Sequence, residues 1–301
     1  MPKLIRRISP IGLIGLGLMG SAIAERLIGA GHAVLGWDIS EKARAAFQKL
    51  GGQPASNISD VFSRAKIILL SLPDSRIVSA VLREARSTLT RSHIVADTST
   101  GDPADAKKLA RQLARTGASY LDATISGNSD QVHRAEVLVM VGGDKLAFKV
   151  CEKIFATFAA RTIHTGVVGS AAQMKLVTNL VLGLNRAALA EGLVFARALK
   201  LDGDQALEIL RASMAYSRIM DVKGEKMLRS DFKPQARLSQ HLKDVRLMLA
   251  AAAKVRTKLP LSETHGNILS AAETAGLGAL DNSAIIRVIG RIRPVRRISR
   301  K

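Results

Sequence analysis

The sequence predicts an α/β chain: a doubly wound, mostly parallel sheet followed by an all-helical C-terminal domain. Three observations carry this. Short apolar runs alternate with helical patterns from Ile11 to Val141, the pattern of successive βαβ units. Several of these runs end in segments carrying glycine, proline or polar residues, at 15–20, 72–73, 98–100 and 126–128. Beyond Gly166 the alternation stops, and the chain reads as helix to about residue 290.

The first unit spans residues 11–38. Ile11 to Ile14 form a short apolar run, followed by Gly15-Leu16-Gly17-Leu18-Met19-Gly20 and a helical pattern from Ser21 to Gly29. A second run, Ala33 to Trp37, ends at Asp38. Strand, tight turn, helix, strand and terminal acid are what dinucleotide binding requires. Gly15 allows the turn, Gly17 lets a pyrophosphate approach the backbone, and Gly20 lets helix and strand pack closely. The helix N-terminus offers unpaired N–H groups and a positive dipole end to phosphates. Asp38 can accept both ribose hydroxyls and would repel a 2′-phosphate, so NAD is expected in preference to NADP. Two other readings compete: a glycine-rich turn without a ligand, and a leader peptide with Lys3, Arg6 and Arg7 before an apolar stretch. Against the leader, four glycines interrupt the stretch, Glu25-Arg26 follow it, and no A-x-A-like site is evident.

The remaining elements follow in order. Residues 41–54 read as helical, with Gly51-Gly52 and Pro54 marking a turn. Lys66 to Leu72 is a bounded β-branched run, expected as a buried parallel strand that ends at Leu72-Pro73-Asp74. A helix starts near Ser75. His93 to Asp97 is the next strand, ending at Thr98-Ser99-Thr100-Gly101, and Pro103 suits the first position of a helix. Gly117 to Asp122 is a strand followed by Ala123-Thr124-Ile125-Ser126-Gly127-Asn128, and Val137 to Val141 closes the alternation. In a doubly wound sheet ligands sit beyond the carboxyl ends of the strands. There the glycine loop, Leu72-Pro73, Thr98–Thr100 and Ser126–Asn128 would share one edge.

Ser170 to about Leu201 reads as one long helix. Leu176, Val177, Leu180, Val181, Leu182 and Leu184 cover most of its faces, so it is expected to be buried all round. Lys175 and Asn179 are four apart and share a face. Lys175 is either a buried lysine whose pKa desolvation lowers towards useful acid–base values, or a lysine snorkelling to water. The rest, punctuated by Pro234 and Pro260, is helical and without internal repeats.

Composition narrows the function classes. The 301 residues suffice for two domains with full cores. One cysteine, Cys151, excludes an internal disulfide framework and fits a reducing cytoplasm. No apolar run reaches the roughly 18–20 residues of a membrane span, and no metal-site spacing is present. The net charge of +20 favours anionic partners, and part of it lies in basic tails at 1–10 and 291–301. With only 3% aromatic residues, the stacking platforms of single-strand binders are poorly supplied, and nucleic acid is not the expected partner.

Five segments together resemble the β-hydroxyacid dehydrogenase family, which includes 3-hydroxyisobutyrate dehydrogenases and 2-hydroxy-3-oxopropionate reductases. They are Gly15–Gly20; Asp97–Thr100 with Pro103; Asp122–Asn128; Gly169–Lys175 with Asn179; and Phe232-Lys233-Pro234 followed by Lys243-Asp244. The similarity spans about residues 10–290. It implies a Rossmann-type NAD(P)-binding domain at 11–167, and a helical substrate and dimerisation domain at 168–290 that begins with a long interdomain helix. It also implies hydride transfer between nicotinamide and a small β-hydroxy acid or carboxylate semialdehyde. Lys175 would be the general acid/base. Ser126, Gly127 and Asn128 would hold the substrate, and Asn179 would orient it. Gly15, Leu16, Gly17, Leu18, Met19, Gly20, Asp38, Leu72, Pro73, Thr100, Lys243 and Asp244 would serve the cofactor, NAD or NADP. A homodimer or homotetramer through the long helices is implied as well. Departures cluster around the substrate: Asn128 replaces a glycine, Asp130–Glu136 replaces a glycine-rich stretch, Thr178 replaces an asparagine, and Ala236 stands where a phenylalanine is common. The alternatives are a catalytically silent NAD(P)-binding protein and a nucleic-acid-associated protein on the same fold.

Overall fold

The computed structural model describes residues 9–290. The C-terminal basic tail, and the N-terminal one apart from Ser9 and Pro10, lie outside the described residues. The described residues form two compact units that divide after Lys175.

The first unit is an eight-stranded sheet. Its strands are β1 (Ile11–Ile14), β2 (Val34–Trp37), β3 (Gln53–Pro54), β4 (Ile67–Leu70), β5 (Ile94–Asp97), β6 (Ser119–Ser126), β7 (Val137–Gly142) and β8 (Ala159–Gly166). Their spatial order is β3-β2-β1-β4-β5-β6-β7-β8, and every neighbouring pair is parallel except β6–β7. The helices are α1 (Leu18–Gly29), α2 (Glu41–Lys49), α3 (Ile58–Arg64), α4 (Ser75–Glu84), α5 (Pro103–Ala114), α6 (Ser129–His133) and α7 (Lys145–Phe155). Successive strand residues feed different cores. Leu13 and Leu69 pack with Leu27 and Phe155, whereas Ile14 and Leu70 pack with Phe62, Val81 and Leu109. Both faces of the sheet are therefore covered, which is why the inner strands read as unbroken apolar runs. Side-chain caps set several helix starts: Asn57, Asp74 and Asp102 each accept a backbone N–H in the first turn, and Pro103 follows its cap.

The strand order reverses between β1 and β4, and α1 begins where β1 ends. That crevice is where a doubly wound sheet takes its ligand.

Three expectations for this unit need correction. Helix does not run through 41–54: α2 stops at Lys49, and Gln53–Pro54 pairs with β2 as an edge strand. Proline lacks a ladder donor, so the strand is short and sits at the edge. The strand near Asp122 continues to Ser126, because Ala123–Ser126 pair antiparallel with β7. The chain also forms β8, which the sequence conceals because Arg161 and Thr165 interrupt its apolar positions on a half-exposed edge.

In the second unit, α8 (Ser170–Ala198), which starts in the first, is followed by α9 (Gly203–Ala212), α10 (Ile219–Leu228), α11 (Leu238–Lys254), α12 (Pro260–Thr274) and α13 (Ile286–Ile289). Leu189, Leu193, Leu207, Met220, Leu242 and Leu269 make its core. A buried ion pair joins α10 to the loop before α13: Lys223 Nζ lies 2.9 Å from each carboxylate oxygen of Asp281. Asp281 also accepts the N–H groups of Gln235, Ala236 and Ser283; against desolvation, the Lys223 ammonium first and these donors after it hold its carboxyl down at about 2.

The long helix is not buried all round. Val177 is 55% exposed, Val181 50% and Phe195 63%, whereas Leu189, Ala190 and Leu193 are buried. Burial follows one stripe of α8, and the apolar residues elsewhere on it face solvent in the single chain. Over 18 residues its mean hydropathy reaches 1.2, a value also found in membrane spans, although Arg186 and Glu191 interrupt it.

Candidate functional site

The glycine loop has the geometry that its three glycines predict. Gly15 has φ +94°, and a Cβ on it would strike the Ser71 carbonyl. A Cβ on Gly20 would lie on the carbonyl oxygen of Gly15, so this glycine is required for α1 to meet β1. A Cβ on Gly17 would meet nothing within 4 Å. Its absence leaves open the ground above the α1 N-terminus. Gly17 is the N-cap of α1 and uses no side chain there, so Leu18, Met19 and Gly20 form the first helical turn. Their N–H groups lack intrahelical partners.

Asp38 stands at the end of β2. Its Oδ2 accepts from the Leu16 N–H at 2.7 Å, and its Oδ1 accepts from the Ser40 N–H at 2.8 Å. An ionised carboxylate has further lone-pair sites for two ribose hydroxyls. Arg44 Nη1 donates to the Asp38 carbonyl at 2.6 Å. Leu18 and Ile39, on either side of this carboxylate in sequence, are 83% and 85% exposed.

The strand ends beyond it are laced together. Ser99 Oγ accepts from the Leu72 N–H at 3.0 Å, and Thr98 Oγ1 donates to the Leu70 carbonyl at 2.7 Å. Leu72, Pro73 and Thr100 therefore sit on one braced edge, next to the glycine loop. Beneath them, Tyr120 donates its hydroxyl to Asp97 Oδ2 at 2.6 Å, and burial pushes the Asp97 carboxyl upward.

The end of β6 carries Ser126, followed by Gly127 and Asn128. Gly127 has φ +149°, and a Cβ there would press on Val137 at 2.5 Å. Asn128 has a structural role: its Oδ1 accepts from the Gln131 N–H at 2.9 Å, and its own N–H donates to Gln131 Oε1 at 3.1 Å. This capping box starts α6. The side chains that follow face outward, with Arg134 paired to Glu136 and His133 to Glu25.

Lys175 is half-buried, and its Nζ donates to the Ile125 carbonyl at 2.6 Å, one residue before Ser126. The start of its helix is fixed by Asp122, a residue to which sequence reasoning gave no task of its own. Asp122 accepts from the Gly169 and Ala172 N–H groups, each at 3.0 Å, and so caps α8 from β6. Desolvation raises its carboxyl to about 6 despite these bonds. Ser126, Gly127 and Lys175 are thus gathered in the first unit, with the amine on the carbonyl that precedes Ser126.

In the second unit, Asn179 Nδ2 donates to Asp244 Oδ2 at 3.3 Å, so two residues 65 apart in sequence meet. Lys243 is exposed on α11. Among the described residues no group of three or more His, Cys, Asp or Glu could hold a metal ion.

Comparison with known proteins agrees with this geometry. Residues 10–167 match the family model described as the NAD binding domain of 6-phosphogluconate dehydrogenase. Residues 169–289 match that described as NAD-binding of NADP-dependent 3-hydroxyisobutyrate dehydrogenase. The chain is 32% identical over 282 residues to a 2-(hydroxymethyl)glutarate dehydrogenase of Eubacterium barkeri, covering 92% of this chain and 94% of that protein. It is 29% identical to a 2-hydroxy-3-oxopropionate reductase of Escherichia coli, covering 93% and 96%. A solved 3-hydroxyisobutyrate dehydrogenase of Mycobacterium tuberculosis, with L-serine, superposes with a TM-score of 0.86 at 25% identity, covering 93% and 98%.

Proposed function

Because the chain belongs to the β-hydroxyacid dehydrogenase family, we propose that Lys175 moves the proton while hydride passes between nicotinamide and a small hydroxy acid. The protein is an NAD(P)-dependent oxidoreductase acting on CH–OH groups. The finer reading concerns substrate, cofactor choice and residue roles. The observation that carries it is the Lys175 amine, fixed on the Ile125 carbonyl immediately before Ser126 and Gly127.

When bound, the nicotinamide accepts hydride from the alcohol carbon or returns it to the aldehyde. The remaining work falls to the chain. The Ser126 hydroxyl and Gly127 N–H hold the substrate carboxylate, and Lys175 takes the alcohol proton in oxidation and returns it in reduction. Asn179 orients the substrate. Asp38, with both oxygens directed by backbone N–H groups, favours NAD. Substrates of this kind are 3-hydroxyisobutyrate, 2-hydroxy-3-oxopropionate, glyoxylate and succinic semialdehyde; 2-(hydroxymethyl)glutarate joins them from the relative in Eubacterium barkeri. The exposed apolar residues of α8, among them Val177, Val181 and Phe195, support assembly as a dimer or tetramer through this helix.

The test is reduced-nicotinamide absorbance across these acids and aldehydes with each cofactor. Turnover of one of them, abolished with Lys175→Ala, is expected. Cofactor binding by fluorescence with no turnover across the panel would overturn the reading in favour of a silent dinucleotide-binding protein.

A further inference from the structure

The helical unit contains a buried polar cluster for which the reaction above has no use. Arg186, one turn beyond Gly183 on α8, is 2% exposed, yet its Nε and Nη1 have no hydrogen-bond partner. His241 on α11 and His265 on α12 are buried with ring centroids 5.1 Å apart, and the Nε2 of each is also unpartnered. A Cβ on Gly183 would lie 2.6 Å from His241 Nε2 and 2.8 Å from His265 Cε1. Glycine at this position thus lets both imidazole edges reach the α8 backbone beside Arg186.

The charge within this cluster is that of Arg186, with the Asp281 and Asp244 carboxylates near enough to act on it. Burial and the neighbouring guanidinium hold His265 down at about 4 and His241 well below its ordinary value, so both rings are neutral at pH 7. Burial brings Arg186 itself down to about 10, against the attraction of Asp281 and Asp244. A guanidinium repels metal cations and donates through a planar fork; each neutral imidazole adds one N–H donor. Buried donors without partners in a native fold signal a missing ion, ligand or water. A fork of donors around a buried positive charge selects an anion.

We propose that Arg186, His241 and His265 form a buried anion site in the helical unit, accepting a small singly charged group such as a carboxylate. The group has two possible sources: a free anion, or a second carboxylate of the substrate, remote from the reacting carbon. The second source rests on the function proposed above. It sets a length requirement: Asn179 and Arg186 share one face of α8 but stand seven residues, about 10 Å of helix, apart. Asp244, the partner of Asn179, lies within electrostatic reach of the Arg186 guanidinium.

The free-anion arm needs no activity. The full chain is unfolded thermally at constant ionic strength while a bulky sulfonate is replaced by bromide or acetate. Wild type is expected to gain several degrees in Tm with rising bromide or acetate, and Arg186→Met is expected not to respond. Should that variant fail to fold, His265→Leu serves, with the same loss of response expected. A bromide-soaked crystal should show an anomalous peak beside Arg186. No anion-specific rise in Tm overturns the site, whether the crystal then shows water alone or bromide at crystal concentration only.

The substrate arm compares kcat/KM for dicarboxylic and monocarboxylic hydroxy acids. A preference for the dicarboxylic acid that falls at least tenfold in Arg186→Met assigns the group to the substrate. An unchanged ratio with a retained Tm response assigns it to a free anion. Absence of turnover would defeat the proposed function but leave the anion titration decisive for the site.

Discussion

Leu16 and Asp38, 22 residues apart, are joined by a 2.7 Å hydrogen bond in which the Leu16 N–H donates to Asp38 Oδ2. One carboxylate therefore shapes the glycine loop and, in the function proposed, also presents charge to the ribose end of a dinucleotide. Asp38→Ala should weaken binding of NAD and NADP alike by loosening the loop, and should also remove the repulsion of a 2′-phosphate. The ratio KM(NADP)/KM(NAD) is expected to fall about tenfold, with Arg44 close enough to meet the phosphate; about tenfold corresponds to one lost charge contact of roughly 1.4 kcal/mol. Steady-state kinetics with both cofactors measures this. A wild type that already prefers NADPH would refute the role given to Asp38.

Lys175→Ala should leave cofactor affinity within a fewfold of wild type and lower kcat by roughly 10²–10⁴, the usual worth of a positioned acid–base group. Lys175→Arg should restore little, because a guanidinium cannot release its proton at working pH. Nicotinamide fluorescence and single-turnover absorbance separate the two effects. Unchanged turnover in Lys175→Ala would remove the amine from the mechanism.

Gly17 and Gly20 should fail in different ways. Gly17→Ala puts a methyl into open ground, so stability should change by no more than about 1 kcal/mol while dinucleotide affinity falls tenfold or more. Gly20→Ala forces a methyl onto the Gly15 carbonyl and should cost about 1–3 kcal/mol of stability before any ligand is added. Thermal unfolding and nucleotide titration, run on both variants, give the contrast. Similar profiles for the two would mean that the loop is not shaped as described.

Asp122 gives a pH signature. Its folded carboxyl is raised to about 6 from an ordinary value of 3.8, so between these pH values the folded chain holds a proton that the unfolded chain has lost. Its contribution to stability is complete below pH 3.8 and is lost as pH rises through 6. Denaturant unfolding from pH 4 to 8 should show this fall in wild type, and the difference between wild type and Asp122→Asn should isolate it. In the variant one of the Gly169 and Ala172 N–H groups loses its acceptor, so a pH-independent loss of about 1–3 kcal/mol is expected as well. A flat difference across the range would contradict the shift.

The cofactor end was legible because its determinants are local. Gly15 to Gly20 and Asp38 lie within one βαβ unit, and each glycine is required by a clash or an open space that its neighbours define. The inner strands were legible because burial on both faces leaves only apolar residues. Much of what escaped notice depends on partners distant in sequence. The Asp122 cap exists only when β6 meets the start of α8. Two other features are local but weakly signalled: Asn128 and Gln131 form a capping box only three residues apart, and β8 alternates too weakly on its half-exposed edge to read as a strand. Arg186, His241 and His265 carry no motif; they are 55 and 24 residues apart and meet only through tertiary packing. Apolar residues on every side of α8 suggested complete burial, but a single chain covers only one stripe of that helix.

Cys151 lies at 0% exposure on α7, and burial pushes its thiol up to about 12. It is the sole cysteine of the sequence. A native sample should therefore be silent to maleimides and aromatic disulfides, and a cysteine introduced at any exposed position would be the only one to take a dye or spin label. Distance and anisotropy measurements on the working protein can then begin from a single substitution, without first building a cysteine-free background.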